Sequence, residues 1–117
     1  MAYVLRFVQR FRPADEAAFM ALEAQFAALE RRKGWPRGRR SRPFAGREPG
    51  NTLVWECEVP SLAAVNDAVA AMGRDPDHAR LLERQIPFFL EAWTEIHEVL
   101  DLPEASRARG ARRARVS

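Results

Sequence analysis

The chain switches between two hydrophobic periods, and the changes fall at prolines and glycines. Residues 51–59 read Asn-Thr-Leu-Val-Trp-Glu-Cys-Glu-Val. Leu53, Trp55, Cys57 and Val59 lie on one side of an extended chain, and Thr52, Val54, Glu56 and Glu58 on the other, which predicts a half-buried strand. An earlier strand is predicted from Tyr3 to Phe11, where Tyr3, Leu5, Phe7, Gln9 and Phe11 alternate with Val4, Arg6, Val8 and Arg10. Pro13 or Ala14 then opens a helix in which Phe19, Leu22, Phe26 and Leu29 recur at steps of three and four. Asp15 and Glu16 suit its first turn, Arg31, Arg32 and Lys33 its last, and Gly34 its C-cap. Pro36, Gly38 and Pro43 confine any strand in 35–44 to an irregular sheet edge, and its arginines make it hard to bury. Residues 45–50 form the loop back into the strand at 51–59.

Beyond that strand, Ser61 caps a helix with Leu62, Val65, Val69 and Met72 on one stripe, ending near Gly73. Asp75 and Pro76 begin a second helical piece as cap and first residue, running through Leu81, Leu82 and Gln85 until Pro87 ends or kinks it near Ile86. Phe88, Phe89 and Leu90 pack as the chain turns into a last strand, Trp93 to Leu100. Thr94, Ile96, Glu98 and Leu100 face one way there, and Trp93, Glu95, His97 and Val99 the other. The order strand, helix, strand, strand, two-piece helix, strand is the ferredoxin-like α+β plan. It is a four-stranded antiparallel sheet with the first and third strands central and helices on one face. The bare face would show Val4, Val8, Val54 and Val99 among Arg6, Arg10, Glu56, Glu58, Glu95 and His97, a patch of the kind that marks an interface. Two copies packed through it would bury the valines and set Arg6 and Arg10 between acids of neighbouring strands, so a homodimer is expected.

A chain of 117 residues, 47% hydrophobic and 30% charged, suits a single domain with one core, assigned to residues 1–102. Residues 103–117 have no periodicity and are predicted to be a basic disordered tail. That tail holds Arg107, Arg109, Arg112, Arg113 and Arg115 against Glu104, so the net charge of +3 belongs to it and the body stands at −1. Nucleic acid is therefore not the expected partner of the folded part. The tail either attracts anionic partners weakly or serves only to keep the chain soluble. Arg31 to Arg47 contains eight basic residues and no acid, which favours a basic edge meeting an acidic surface in this chain or a second copy. No apolar run approaches the ~20 residues of a membrane span and no signal-peptide pattern is present, which points to the cytoplasm. Cys57, the only cysteine, excludes an internal disulfide, and its place on an apolar strand face reads as an inert buried thiol.

Several residues carry candidate chemistry, each beside a plainer reading. His97, among acids on the last strand, is the candidate catalytic acid or base, or else a hydrogen-bonded interface residue. His78, next to Asp75 and Asp77 in the first turn of a helix, reads as solvated. Glu56 and Glu58 are either paired working carboxylates or, with Arg6 and Arg10, an ion-pair network. Arg39, Arg40, Arg42 and Arg47 either clamp a carboxylate or phosphate or keep the sheet edge from pairing. Trp35, Trp55 and Trp93 line a cavity or fill the core. The histidines have no metal-ligand spacing with Cys57, and there is no glycine-rich phosphate loop or nucleophile elbow, so no metal or cofactor is expected.

The run from Asn51 through Trp55, Pro60 and Ser61, followed by Asp75-Pro76 and a short final strand, resembles the dimeric α+β barrel superfamily, and within it NIPSNAP-like proteins. The likeness spans residues 3–101. It implies homodimerisation through open sheet faces and, in some members, a small-molecule cavity between sheet and helices. Relatives include cofactor-independent monooxygenases, haem-degrading enzymes, muconolactone isomerase-like enzymes and proteins of no known activity. The haem-degrading pattern pairs an Asn on the first strand with a helical His and a Trp. This chain departs from it, with Gln9 on the first strand and His78 as its only helical histidine. The expectation is a homodimer that binds a small organic molecule beside the sheet, where Arg6, Arg10, Arg40, Trp55, Glu56, Glu58 and His97 would meet it. The alternatives are a cofactor-independent monooxygenase-like enzyme and a non-catalytic structural or interaction module.

Overall fold

A computed structural model describes residues 1–103; the tail expected beyond them lies outside the described residues. Seven strands and α-helices follow in the order β1 (Tyr3–Phe11), α1 (Glu16–Lys33), β2 (Arg39–Ser41), β3 (Thr52–Val59), α2 (Leu62–Gly73), α3 (Pro76–Gln85) and β4 (Phe89–Glu98), with 3-10 turns at Pro13–Asp15 and Ile86–Phe88. The strands pair antiparallel in the order β2-β3-β1-β4, so β1 and β3 are central as the ferredoxin-like plan requires. Among the described residues no helix is long and apolar enough to cross a membrane.

The punctuation works as the residues suggest. Gly34 ends α1 in the left-handed region (φ 68°), where a glycine carries no Cβ penalty, and its N–H reaches the Arg31 carbonyl. Ser61 Oγ accepts from Ala64 N at 3.1 Å, and Asp75 Oδ1 from His78 N at 2.9 Å, each satisfying an otherwise orphaned amide at a helix start. The apolar stripe of α1 (Phe19, Leu22, Phe26, Leu29) is buried throughout. Under the helices the core falls into two clusters. Leu5, Trp55, Cys57, Val59, Val65 and Met72 form one, and Phe11, Phe19 and Leu53 the other, with Phe88 and Phe89 against it.

Three expectations change. The buried side of α2 is rotated: Val65 and Met72 are buried with Ala64 and Ala68 packed beside them, while Leu62 and Val69 face solvent. The small alanines let the helix lie close to the sheet and leave no room there for the two larger side chains. β4 starts at Phe89 rather than Trp93, because β1 extends to Phe11 and Phe89 pairs with it across a register shift. The strand faces are as expected, since the shift lies upstream of them. Lastly, the open sheet face does not leave two of its four valines in water, since Val54 is 8% exposed and Val8 less. Val8 is 2% exposed, lying between Val54 on β3 and Trp93 on β4, with Arg6 and Arg10 before and after it on the same face.

Candidate functional site

Between the two core clusters lies a cavity of about 290 Å³. Its floor is the helix-facing side of the sheet (Phe7, Gln9, Trp55), its walls are α1 and α3 (Glu23, Phe26, Glu30, His78, Leu82, Gln85), and Met72 and Phe89 close the ends. Ala92 and Thr94 of β4 also line it and are exposed, so the helices stop short of this edge strand and the cavity opens there. Phe7 and Trp55 stack with ring centres 4.9 Å apart, giving the floor a flat aromatic surface.

Charge enters this apolar space from an unexpected direction. Glu23 and Glu30 sit seven residues apart on α1 and are only 5% and 8% exposed. Arg40 reaches in from β2 and binds both: Nε to Glu23 Oε2 at 2.7 Å, and a terminal nitrogen to Glu30 Oε2 at 2.7 Å. Trp55 Nε1 donates to Glu30 Oε1 (3.2 Å) and Gln85 Nε2 to Glu23 Oε1 (2.8 Å), so every oxygen of both carboxylates has a donor. Burial opposes the Arg40 charge, but the hydrogen bonds it donates to Glu30 and Glu23 outweigh it and raise its pKa above the ordinary value. Two carboxylates and one guanidinium leave the cluster one negative charge. Gly38 makes the approach possible, because a Cβ there would fall inside the Trp55 indole, against Nε1 and Cε2.

His78 is half-buried on the cavity wall rather than solvated, with its ring edge-on to Phe26 (5.1 Å) and Trp35 (6.1 Å). Burial lowers its pKa from 6.5, and the opposing pull of Asp75, Glu30 and Glu23 only partly offsets this. The unfolded chain therefore takes up this proton first as the pH falls, so His78 costs stability progressively below about pH 6.5. The unfolding midpoint of the native protein should fall between pH 7.5 and 5.5 by more than that of His78→Leu. Equal falls would mean that the ring is solvated in the folded state. Burial, with Glu30 as the smaller cause, raises the pKa of the Cys57 thiol, in keeping with an inert residue.

The seven residues expected to meet one ligand are divided by the sheet. Arg40 and Trp55 are at the cavity. Arg6, Arg10, Glu56, Glu58 and His97 belong to the opposite, open face. There Arg6 lies between Glu56 (3.5 Å) and Glu95 (3.6 Å), the arrangement read from the strands. Arg10 pairs on one side only, with Glu91 at 2.6 Å, since its β3 neighbour is Thr52. Glu58 is exposed opposite Val4, so it does not pair with Glu56 as a two-carboxylate site. His97 is on that face too, hydrogen-bonded through Nε2 to Glu95 (2.9 Å), which also accepts from Trp93 Nε1 at 2.7 Å. The Trp93 hydrogen bond lowers the Glu95 pKa; desolvation opposes it, and smaller contributions from His97 and Arg6 add to the lowering. The arginine clamp does not form. Strand alternation sends Arg39 to Glu56 and Arg40 to Glu23 and Glu30, while Arg42 pairs with Glu16 and Arg47 is in an exposed loop. Among the described residues there is no group of three or more His, Cys, Asp or Glu able to hold a metal ion.

No protein-family model matches this chain, and no curated protein does. Solved structures do. A NIPSNAP family protein from Agrobacterium tumefaciens superposes with a TM-score of 0.70 at 14% identity, over 87% of this chain and 89% of that one. An uncharacterised NIPSNAP-like domain protein from Burkholderia xenovorans gives 0.70 at 14% identity over 89% and 90%. A protein from Nitrosomonas europaea proposed to be an antibiotic biosynthesis monooxygenase gives 0.64 at 12% identity over 85% and 90%. The ferredoxin-like α+β fold is thus shared with NIPSNAP-like and monooxygenase-like proteins, as the resemblance implied.

Proposed function

We propose that this protein binds a small, largely apolar organic molecule in the cavity between sheet and helices, and that it does so as a homodimer paired through the open sheet faces. The aromatic-walled cavity carries this reading, because it joins a flat hydrophobic surface to a few fixed polar groups, the usual composition of a small-molecule site. Pairing is supported by the alternating charges across β3, β1 and β4 and by Val4, Val99 and Trp93 beside them, which a second copy would remove from water. A panel of aromatic compounds should raise the melting temperature, since a ligand of the folded state alone stabilises it. Ala92→Trp, which plugs the mouth without touching the buried cluster, should abolish the rise. Sedimentation at micromolar concentration should return twice the chain mass. A monomer there removes the pairing but leaves the cavity reading intact.

A second reading, in which the protein acts on what it binds, including chemistry of the monooxygenase type, is favoured by His78. An uncharged imidazole on a cavity wall is able to take a proton from a bound molecule. Turnover lost in His78→Ala and kept in His97→Ala would support it, and turnover indifferent to His78 would remove it.

A further inference from the structure

The hydrogen-bonding groups of the cavity are unevenly committed. Each donor side chain of the cluster is engaged: Arg40 binds Glu23 and Glu30, Trp55 N–H binds Glu30, and the Gln85 amide nitrogen binds Glu23. The acceptors are not. Gln85 is 0% exposed and its Oε1 has no partner, and Gln9 Oε1 is likewise buried without one. The orientation of Gln85 is forced, because turning its amide over would set an oxygen against the Glu23 carboxylate, which can only accept. A buried carbonyl without a donor is costly, so the site is arranged for a group that brings one. The charge agrees: two carboxylates against one guanidinium leave an excess negative charge behind those oxygens.

On the reading that the cavity is a ligand site, we propose that its ligand is an amine: an apolar, ring-sized body lying on Phe7 and Trp55, with a protonated nitrogen donating to Gln85 Oε1 beside Glu23, where the Gln9 amide, held by no other bond, can turn its oxygen to the same group. Aromatic faces and a net negative cluster both favour a cation and disfavour a carboxylate. This runs against the alternative in which Arg40 clamps an acidic group, since its bonds to Glu23 and Glu30 already engage it.

The test is a matched series on one body: naphthylmethylamine, naphthylmethanol, naphthoate and naphthalene, titrated into the full chain by calorimetry at neutral pH. The amine should bind at least about tenfold more tightly than the alcohol and more tightly still than naphthoate. Gln85→Met keeps the shape but removes the whole amide, the nitrogen that serves Glu23 as well as the oxygen; it should weaken amine and alcohol about tenfold and leave naphthalene unchanged. Glu23→Gln, if it folds, should erase the preference of amine over alcohol. Naphthoate binding as well as the amine, or the amine no better than the alcohol, overturns the inference and leaves the cavity reading standing. If no member of the series binds, both fall.

Discussion

Replacing Arg40 with methionine is expected to destabilise the fold by about 3–5 kcal/mol, the usual effect of removing one partner from a buried ion pair and leaving the other charged. Methionine matches the aliphatic stem, so packing is largely kept and the loss is electrostatic. Glu23 and Glu30 would remain on the inner side of α1 with only Gln85 and Trp55 as donors. A domain of this size has about 5–15 kcal/mol in all, so the variant should fold but sit near its limit. In urea the midpoint should drop by about 2–3 M. Arg39→Met is the control. It is one residue away and also paired with a glutamate, but on the open face and largely solvated, so it should cost no more than about 1 kcal/mol. Equal losses in the two variants would show that Arg40 is not a buried ion-pair partner.

The plan of the fold was legible because it follows from period and punctuation. Caps at Ser61, Asp75 and Gly34 and the alternation in β1 and β3 are local signals, and the structure keeps them. The site was less legible, although its residues do leave a mark. Glu23 is four residues after Phe19 and Glu30 four after Phe26, so both acids interrupt the apolar stripe of α1 from within. His78 and Gln85, seven apart, fall on the inward side of α3 with Leu82, and Gln9 interrupts the aromatic side of β1. Polar residues at core positions are costly unless they meet, and here they meet around one cavity. Reading the charged residues of β1, β3 and β4 as the site instead followed their density in sequence. Alternation places that density on the other face of the sheet. The partner of the acids, Arg40, could not be read from its flanks, since a strand of three residues at a sheet edge gives too little pattern to fix its direction.

Gly38→Ala should separate the architecture of the site from general tolerance at the sheet edge, and its effect should far exceed what one methyl group on a loop residue suggests. The new Cβ would occupy the Trp55 ring position, so either the indole or the edge segment has to move. Trp55 resists because it is stacked on Phe7 and hydrogen-bonded to Glu30. The edge resists because Arg40, two residues on, is tied to α1 through two carboxylates. Overpacking at such a point typically costs about 1–3 kcal/mol. A displaced indole would also lose its grip on Glu30 and tilt the cavity floor. Gly38→Ala should therefore lose the ligand-induced rise in melting temperature as well as stability. The same substitution at Gly73 has the opposite sign. That residue ends α2 with nothing within 4 Å of a new Cβ, and Gly73→Ala should be neutral or stabilise by up to about 1 kcal/mol. Two glycine-to-alanine changes of opposite sign, only one of which silences the cavity, would tie the missing side chain at Gly38 to the seating of Trp55. Parallel effects at the two positions would break that link.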